Sequence, residues 1–308
     1  MLAESNSLPP KVLVVGGDSL IGSSLVGHFR SQGTSVGFTS RRPHHKSPAC
    51  IPLELGKAVS LPYIPEVAIL CAGVTDFRSC AEQPDATRRI NVHAVLELAA
   101  TLHLGGACIL YLSSNAVCEI EKDSVQSHSL PPITTELGAQ KYDAECGILA
   151  LGERATVVRA TKVVSSRVPM FEGWLTRLGQ HSKIFPWSDK YLCPISLRFI
   201  AFWLAELALR HVSGVFHLSG ENLVSYSEFG LKLAASMSAD CKLVVPSTMD
   251  GAGLTNGRPP QHACLDMKLT TSTLGATPQT VGSVLSDLLE EFYLTPAMGW
   301  NDTSVSSL

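Results

Sequence analysis

The residues Lys11-Val12-Leu13-Val14-Val15-Gly16-Gly17-Asp18-Ser19-Leu20-Ile21-Gly22 set what the rest of the chain can become. Val12 to Val15 are an unbroken apolar run, the pattern of a strand covered on both faces within a parallel sheet. Two glycines follow at once, and a third closes the turn at Gly22. From Leu20 the apolar residues take helical spacing (Leu20, Ile21, Leu25, Val26, Phe29) until Gly33 stops them. A strand, a glycine turn and a helix N-terminus leave free backbone N–H groups and the positive helix end facing one spot. That is the chemistry of a diphosphate site. Its candidate contacts are Gly16, Asp18, Ser19, Leu20, Ile21 and Gly22; the plainer alternative is a tight turn that holds nothing.

The alternation continues. A second strand is expected over Thr34 to Thr39, running into Ser40-Arg41-Arg42-Pro43. In a dinucleotide fold the residue after this strand faces the adenosine ribose. An acid there bonds the 2′-hydroxyl of NAD, whereas arginine accommodates the 2′-phosphate of NADP. No Asp or Glu stands between Thr34 and Cys50, so Ser40, Arg41 and Arg42 favour NADP over NAD. A solvated basic turn from Arg41 to Lys46 is the alternative. Strands near Ile51 to Leu55 and Val67 to Cys71 come next. The later one runs into Cys71-Ala72-Gly73-Val74-Thr75, small residues at a carboxyl end, where open α/β sheets bind ligands. Leu55, Cys71, Ala72, Gly73 and Thr75 therefore join the candidate cofactor contacts. A helix is expected from Ala86 to His103, with Ile90, Ala94, Val95, Leu98, Ala99 and Leu102 as its buried stripe. Asn91 within it is either a bridge to backbone or a surface amide. A fifth strand, Cys108 to Leu112, ends in Ser113-Ser114-Asn115.

Composition narrows the class. At 308 residues, 45% hydrophobic and 17% charged, the chain suits one large α/β unit with a smaller lobe. A net charge of -3 offers no broad basic face, which argues against nucleic acid. Met1 to Pro10 carry no basic-then-apolar leader, and no apolar run has the length of a membrane span. The most apolar helix, Phe199 to Leu209, contains Glu206 and reads as core. The nine cysteines are scattered with no Cys-x-x-Cys pair, and read as reduced, mostly buried thiols of a cytoplasmic protein. His44-His45 has no second cluster at metal-ligand spacing, so no metal is expected.

Gly16-x-x-Ser19-x-x-Gly22, then Cys71-Ala72-Gly73, then Tyr111-Leu112-Ser113-Ser114, then a helix carrying Lys141, resemble the ordered landmarks of an extended short-chain dehydrogenase/reductase. Val157-Val158-Arg159-Ala160, Gly214 to Gly220, Ser225 to Phe229, Arg258-Pro259 and Leu265-Asp266 narrow the resemblance to the dTDP-4-dehydrorhamnose reductase-like (RmlD-like) branch. It covers roughly Lys11 to Tyr293. It implies a Rossmann-type α/β fold, a doubly wound parallel sheet with a smaller C-terminal substrate lobe. The NADP-binding part would be residues 11–164, with 194–220 returning to it. Residues 165–193 and 221–293 would form the substrate lobe, leaving 1–10 as a flexible N-terminus and 294–308 as a disordered tail.

The resemblance also implies hydride transfer between a nicotinamide and a sugar carbon on a nucleotide-activated hexose. A Tyr passes the proton, a Lys lowers its pKa and holds the nicotinamide ribose, and a Ser/Thr orients the sugar oxygen. Ser114 and Lys141 fall on two of these positions. Leu137 falls on the Tyr position and has no proton to give; Tyr142 lies five residues further on, rotated away. Three functions remain open: an NADP-dependent reductase of a 4-keto sugar, protonating through Ser114, water or another loop; a non-catalytic NADP-binding regulatory subunit like the methionine adenosyltransferase β-subunit; or a nucleotide-sugar epimerase or dehydratase. A homodimer through the 86–103 and Lys141 helices, or a partner enzyme subunit, goes with these readings. In the lobe, Phe171, Trp174, Arg177, Phe185, Trp187, Asp189 and Lys190 could meet a ligand but read more simply as packing or surface. His217 reads as a strand histidine with a satisfied hydrogen bond.

Overall fold

The apolar run becomes an interior strand of a seven-stranded parallel sheet. Along the chain, a computed structural model gives β1 (Val12–Val15), α1 (Leu20–Ser31), β2 (Val36–Ser40), β3 (Cys50–Pro52) and β4 (Val67–Leu70). There follow α2 (Phe77–Glu82), α3 (Pro84–Arg88), α4 (Val95–Leu104), β5 (Cys108–Ser114), α5 (Glu136–Leu149), β6 (Ala155–Ala160), β7 (Lys162–Val164) and α6 (Pro169–Gly179). The last part holds β8 (Tyr191–Leu192), β9 (Pro194–Ser196), α7 (Leu197–Leu209), β10 (Gly214–Leu218), β11 (Val224–Ser225), α8 (Tyr226–Ser236), α9 (Lys268–Leu274) and α10 (Val281–Leu294). The structure describes residues 11–42, 47–57, 60–118, 133–249 and 264–294. The expected flexible N-terminus, the tail beyond Leu294, His44-His45 and Arg258-Pro259 lie outside the described residues.

The strand order is β10-β6-β5-β4-β1-β2-β3. The chain builds outward from β1 through β2 and β3, then returns to the other side of β1 with β4. The order thus reverses between β1 and β4, where doubly wound sheets open a crevice at their carboxyl ends. All four residues of β1 are buried, because helices cover both faces. Val12 and Val14 pack with α1 and α7, while Leu13 and Val15 pack with α4 and α5. A separate apolar cluster joins α6, α8 and α10 through Phe171, Trp174, Phe229 and Leu285. Two small sheets, β11–β8 and β7–β9, link that lobe to the main body.

Some expectations are corrected. β3 is confined to Cys50–Pro52, which leaves Leu55 in the turn beyond it. The expected helix over Ala86 to His103 lies within an unbroken helical stretch from Pro84 to Leu104, but its turns are not uniform. Pro84 starts α3, as its missing N–H allows, and a wide π-type turn over Arg89–Ala94 separates α3 from α4. The wider turn shifts the phase of the buried stripe, so Asn91 and Val92 are inside and Ile90 is only half-buried. The cysteines are not all reduced: Cys193 and Cys264 form a disulfide, with Cα atoms 5.4 Å apart. Their separation of 71 residues hid it. The two meet because the end of β10 gathers both segments, Leu265 N–H donating to Ser219 Oγ at 3.0 Å while Cys193 lies against Ser219. Of the free cysteines only Cys80 and Cys118 are buried.

Candidate functional site

In a parallel sheet every carboxyl end lies on one edge. The turn after β1, Ser40 to Arg42 after β2, Leu55 beyond β3, Cys71 to Thr75 after β4 and Ser114 closing β5 therefore share that edge. Gly16 has φ +84, and a Cβ there would lie 3.0 Å from the Ala72 backbone. The turns after β1 and β4 can approach so closely only without a side chain. At Gly22 a Cβ would stand 2.1 Å from the Gly16 carbonyl oxygen. Ser19 caps α1, its Oγ accepting from Gly22 N–H at 3.1 Å, which leaves its own O–H free to donate outward. The N–H groups of Leu20 and Ile21 have no acceptor among the described residues, as expected for first-turn donors.

At the end of β2 the structure adds an acid that the local sequence lacked. Asp18 reaches over from the glycine turn, its carboxylate accepting from Ser40 Oγ at 2.9 Å with Arg42 Nε at 3.8 Å. Arg42 N–H donates to Ser40 Oγ, and Arg41 is exposed. Asp18 and Arg42 lie far apart in sequence, so no local pattern signals the pair. Leu55 is half-buried against the α4–α5 side of the core.

Asn91 is the bridge to backbone rather than a surface amide. Its Oδ1 accepts from Val74 N–H at 2.7 Å, and its Nδ2 donates to Val74 O and to Gln140 Oε1, both at 2.8 Å. Gln140 is fully buried and donates to Thr87 Oγ1 at 2.9 Å and Glu136 Oε1 at 3.0 Å. The loop after β4 is thereby fixed to α5, the helix that carries Lys141. The π-type turn carries Asn91 inward.

Lys141 Nζ donates to Leu112 O at 3.0 Å and lies 4.7 Å from the centre of the Tyr111 ring. Two of its three N–H groups remain for a ligand. Burial pushes the nearby Cys71 thiol up to about 12 against the opposing Lys141 charge, so it stays a neutral thiol at physiological pH. Ser114 is half-buried, and its Oγ accepts from Ala116 N–H at 3.2 Å. Leu137, one helical turn before Lys141, packs with Cys80 and Ala116, flanked by Val74 and Phe77. Among the described residues the surroundings of Leu137 are thus apolar. Tyr142 packs instead against Val117, Cys118 and Leu265.

Sequence reading gave no role to a polar row beside this helix. Ser113, Arg159 and His217 are register partners on β5, β6 and β10. Arg159 is clamped by Glu145 of α5. His217 is only half satisfied: Nδ1 pairs with Asp266 O at 2.9 Å, while buried Nε2 has no hydrogen-bond partner among the described residues. Burial, reinforced by the Arg159 charge, lowers this imidazole to about 4. An unfolded imidazole titrates near about 6.5, so as pH falls the unfolded chain takes up the proton first. Stability carried by neutral His217 is therefore present above about pH 6.5 and lost on the way down to about 4. Urea unfolding should show roughly 2 kcal/mol of such loss at about pH 5, and His217→Gln should remove it. An unchanged pH slope in the variant would contradict this assignment.

Among the described residues there is no group of three or more His, Cys, Asp or Glu side chains able to hold a metal, and no helix long and apolar enough to cross a membrane. A groove of about 370 Å³ between α1, α7 and α10 lies apart from the strand ends of β1, β4 and β5. Its Arg167 and Arg198 are matched by Glu291, Asp287 and Glu290.

The model of the RmlD substrate binding domain matches residues 10–294. "Probable low-salt glycan biosynthesis reductase Agl14" of Haloferax volcanii is 25% identical over 292 residues, covering 91% of this chain and 97% of that protein. Methionine adenosyltransferase 2 subunit beta of Rattus norvegicus is 23% identical over 300 residues, 92% of this chain and 89% of that one. Among solved structures, dTDP-4-dehydrorhamnose reductase from Bacillus anthracis in complex with NADP superposes with a TM-score of 0.78 at 16% identity, covering 93% and 100% of the two chains. MoeE5 in complex with UDP-glucose and NAD gives 0.74 at 20%, over 92% and 99%. These structural likenesses show the same fold.

Proposed function

The chain belongs to the RmlD substrate binding domain family, and on that premise we propose that it binds NADP and reduces the keto group of a nucleotide-activated sugar. The observation that carries this reading is the corner at Gly16 and Gly22, where close backbone approach and two unpartnered N–H groups fit a dinucleotide diphosphate. The NADP complex of the Bacillus anthracis enzyme and the name of the Haloferax relative support it. Bound there, the cofactor would supply hydride to the sugar carbonyl. Leu20 and Ile21 N–H, with Ser19 O–H, would hold the diphosphate, and Lys141 would hold the nicotinamide ribose with its two spare N–H groups. Ser114 would orient the sugar oxygen as charge develops on it. The proton would come from Ser114 or water, because Leu137 has none. A cytoplasmic setting, where reduced nicotinamide is at hand, goes with this reading.

We assign the preference for NADP over NAD to Arg41 and Arg42. Arg42→Ala should weaken NADPH binding about tenfold while leaving NADH unchanged, the loss of one charge-assisted contact. Equal affinity of the native chain for both cofactors would defeat this assignment. Turnover is tested with NADPH and dTDP- or GDP-linked 4-keto sugars, following loss of nicotinamide absorbance. Slow turnover that disappears in Lys141→Met is expected, and Leu137→Tyr should raise the rate by a factor of about 10²–10⁴. A second reading, a non-catalytic NADP-binding subunit, is favoured by the apolar packing of Leu137 and by likeness to the methionine adenosyltransferase subunit. Tight NADPH binding without turnover in either protein would select it.

A further inference from the structure

We propose that Cys193 and Cys264 form a thiol–disulfide switch whose state sets how firmly Leu265 holds the turn after Ser114. Cys193 is the single residue between β8, which pairs with β11, and β9, which pairs with β7 and runs into α7. Leu192 before it belongs to the apolar cluster of the lobe, and Ile195 after it to the core of the main body. Its sulfur is bonded to that of Cys264, the residue before Leu265. Leu265 is buried in one cluster with Val117, Cys118 and Tyr142. Val117 closes the short turn Asn115–Val117 that directly follows Ser114, and Tyr142 comes next after Lys141 on α5. The disulfide therefore pins, one residue away, a side chain packed where the Ser114 turn meets the Lys141 helix.

Both states of the pair have a place in the fold. Cys193 Sγ lies 3.2 Å from Gly220 O and 3.5 Å from Ser219 Oγ, so a thiol released there finds an acceptor without moving. Gly220 leaves room for the sulfur, since a Cβ there would stand 3.1 Å from it and 2.4 Å from Pro194 O. Leu265 also keeps its seat when the bond opens. Its N–H donates to Ser219 Oγ at 3.0 Å, and Met267 Sδ accepts from Ser219 N–H at 3.2 Å. Reduction thus loosens this segment without unfolding the chain. The two sulfurs differ in access, for Cys193 is fully buried and Cys264 half-buried. A low-molecular-weight thiolate attacks the Cys264 sulfur, forming a mixed disulfide, while the bond to Cys193 breaks and Cys193 leaves as a thiolate that takes a proton. A second thiolate attacks the small-molecule sulfur of the mixed disulfide and releases Cys264. Two thiols are thereby oxidised to one disulfide as the protein disulfide is reduced to two thiols. In a reducing compartment, such as the functional reading proposes, disulfides of this kind are transient and act as sensors.

The test equilibrates the full chain, without denaturant, in buffers of graded reduced-to-oxidised glutathione ratio, then alkylates free thiols and maps them by mass spectrometry. The Cys193–Cys264 bond should open and close reversibly while far-UV circular dichroism stays constant. In the reduced form, amide hydrogen exchange over residues 113–118 and 264–268 should quicken about tenfold or more, with α1 unchanged. The bond spans 71 residues, so its loss should also lower Tm by about 5–10 °C. Cys193→Ser and Cys264→Ser should each exchange like the reduced native chain and ignore the glutathione ratio. A bond that opens only when denaturant unfolds the chain overturns the switch, as does a pair that stays as thiols at every ratio. Reversible opening with unaltered exchange over 113–118 overturns the link to Ser114. None of these measurements needs turnover or bound cofactor, so the switch and the reductase reading stand or fall separately.

Discussion

Replacing Gly22 by alanine is expected to abolish tight dinucleotide binding and to destabilise the chain by roughly 1–3 kcal/mol. The added Cβ would lie 2.1 Å from the Gly16 carbonyl oxygen and 2.8 Å from Ser19 Oγ. The first obstacle is backbone, so no rotamer change can relieve it. The turn must open, and opening it carries away the Ser19 cap together with the Leu20 and Ile21 N–H groups. Losing two hydrogen bonds to a charged phosphate should reduce NADPH affinity by about a hundredfold or more. Gly27→Ala, further along the same helix, is the control. Nothing lies within 4 Å of its would-be Cβ, so helix propensity should add about 0.5–1 kcal/mol with no change in NADPH affinity. If Gly22→Ala binds NADPH like the native chain, the corner is not the diphosphate site.

The second large effect is expected at Glu145. Its carboxylate accepts from Arg159 Nε at 3.1 Å and from Nη2 at 2.7 Å, and the two side chains are 1% and 3% exposed. Glu145→Gln removes the carboxylate that pairs with a buried guanidinium, a change that typically costs about 3–5 kcal/mol. Replacing both partners, as Glu145→Leu with Arg159→Met, should cost markedly less, since neither charge then needs solvation. Urea unfolding of the single and double variants checks this. A single variant as stable as the native chain would mean that water reaches the pair. The pair anchors α5 to β6 one turn beyond Lys141, so NADPH affinity should fall with stability in Glu145→Gln.

Much of this architecture was legible in the sequence because it rests on local patterns. The run Val12–Val15 reads as a doubly covered strand since no polar side is available, and it lies inside the sheet between β4 and β2. Gly16, Ser19 and Gly22 mark the turn by their size, and the structure shows backbone where a Cβ at Gly16 or Gly22 would be. What stayed hidden depends on residues that are distant in sequence. The π-type turn at Arg89–Ala94 has no compositional mark, so helical spacing alone does not show that Ile90 is only half-buried or that Asn91 turns inward. Asp18 meets Ser40 and Arg42 only because β1 and β2 are neighbours. Cys193 and Cys264 meet only because β10 brings their segments together. Leu137 stands out in the sequence as a side chain with no proton to give at the position where the family resemblance implies a Tyr. That its neighbours among the described residues are also apolar required the structure.

The most direct test of the account is an equilibrium titration of the purified full chain with NADPH and with NADH. The account predicts one saturable site, with NADPH held more tightly than NADH and the Gly22→Ala variant silent in the same range. If neither dinucleotide binds at millimolar concentrations, the amide-lined corner after β1 is only a turn, and the functional reading built on it falls.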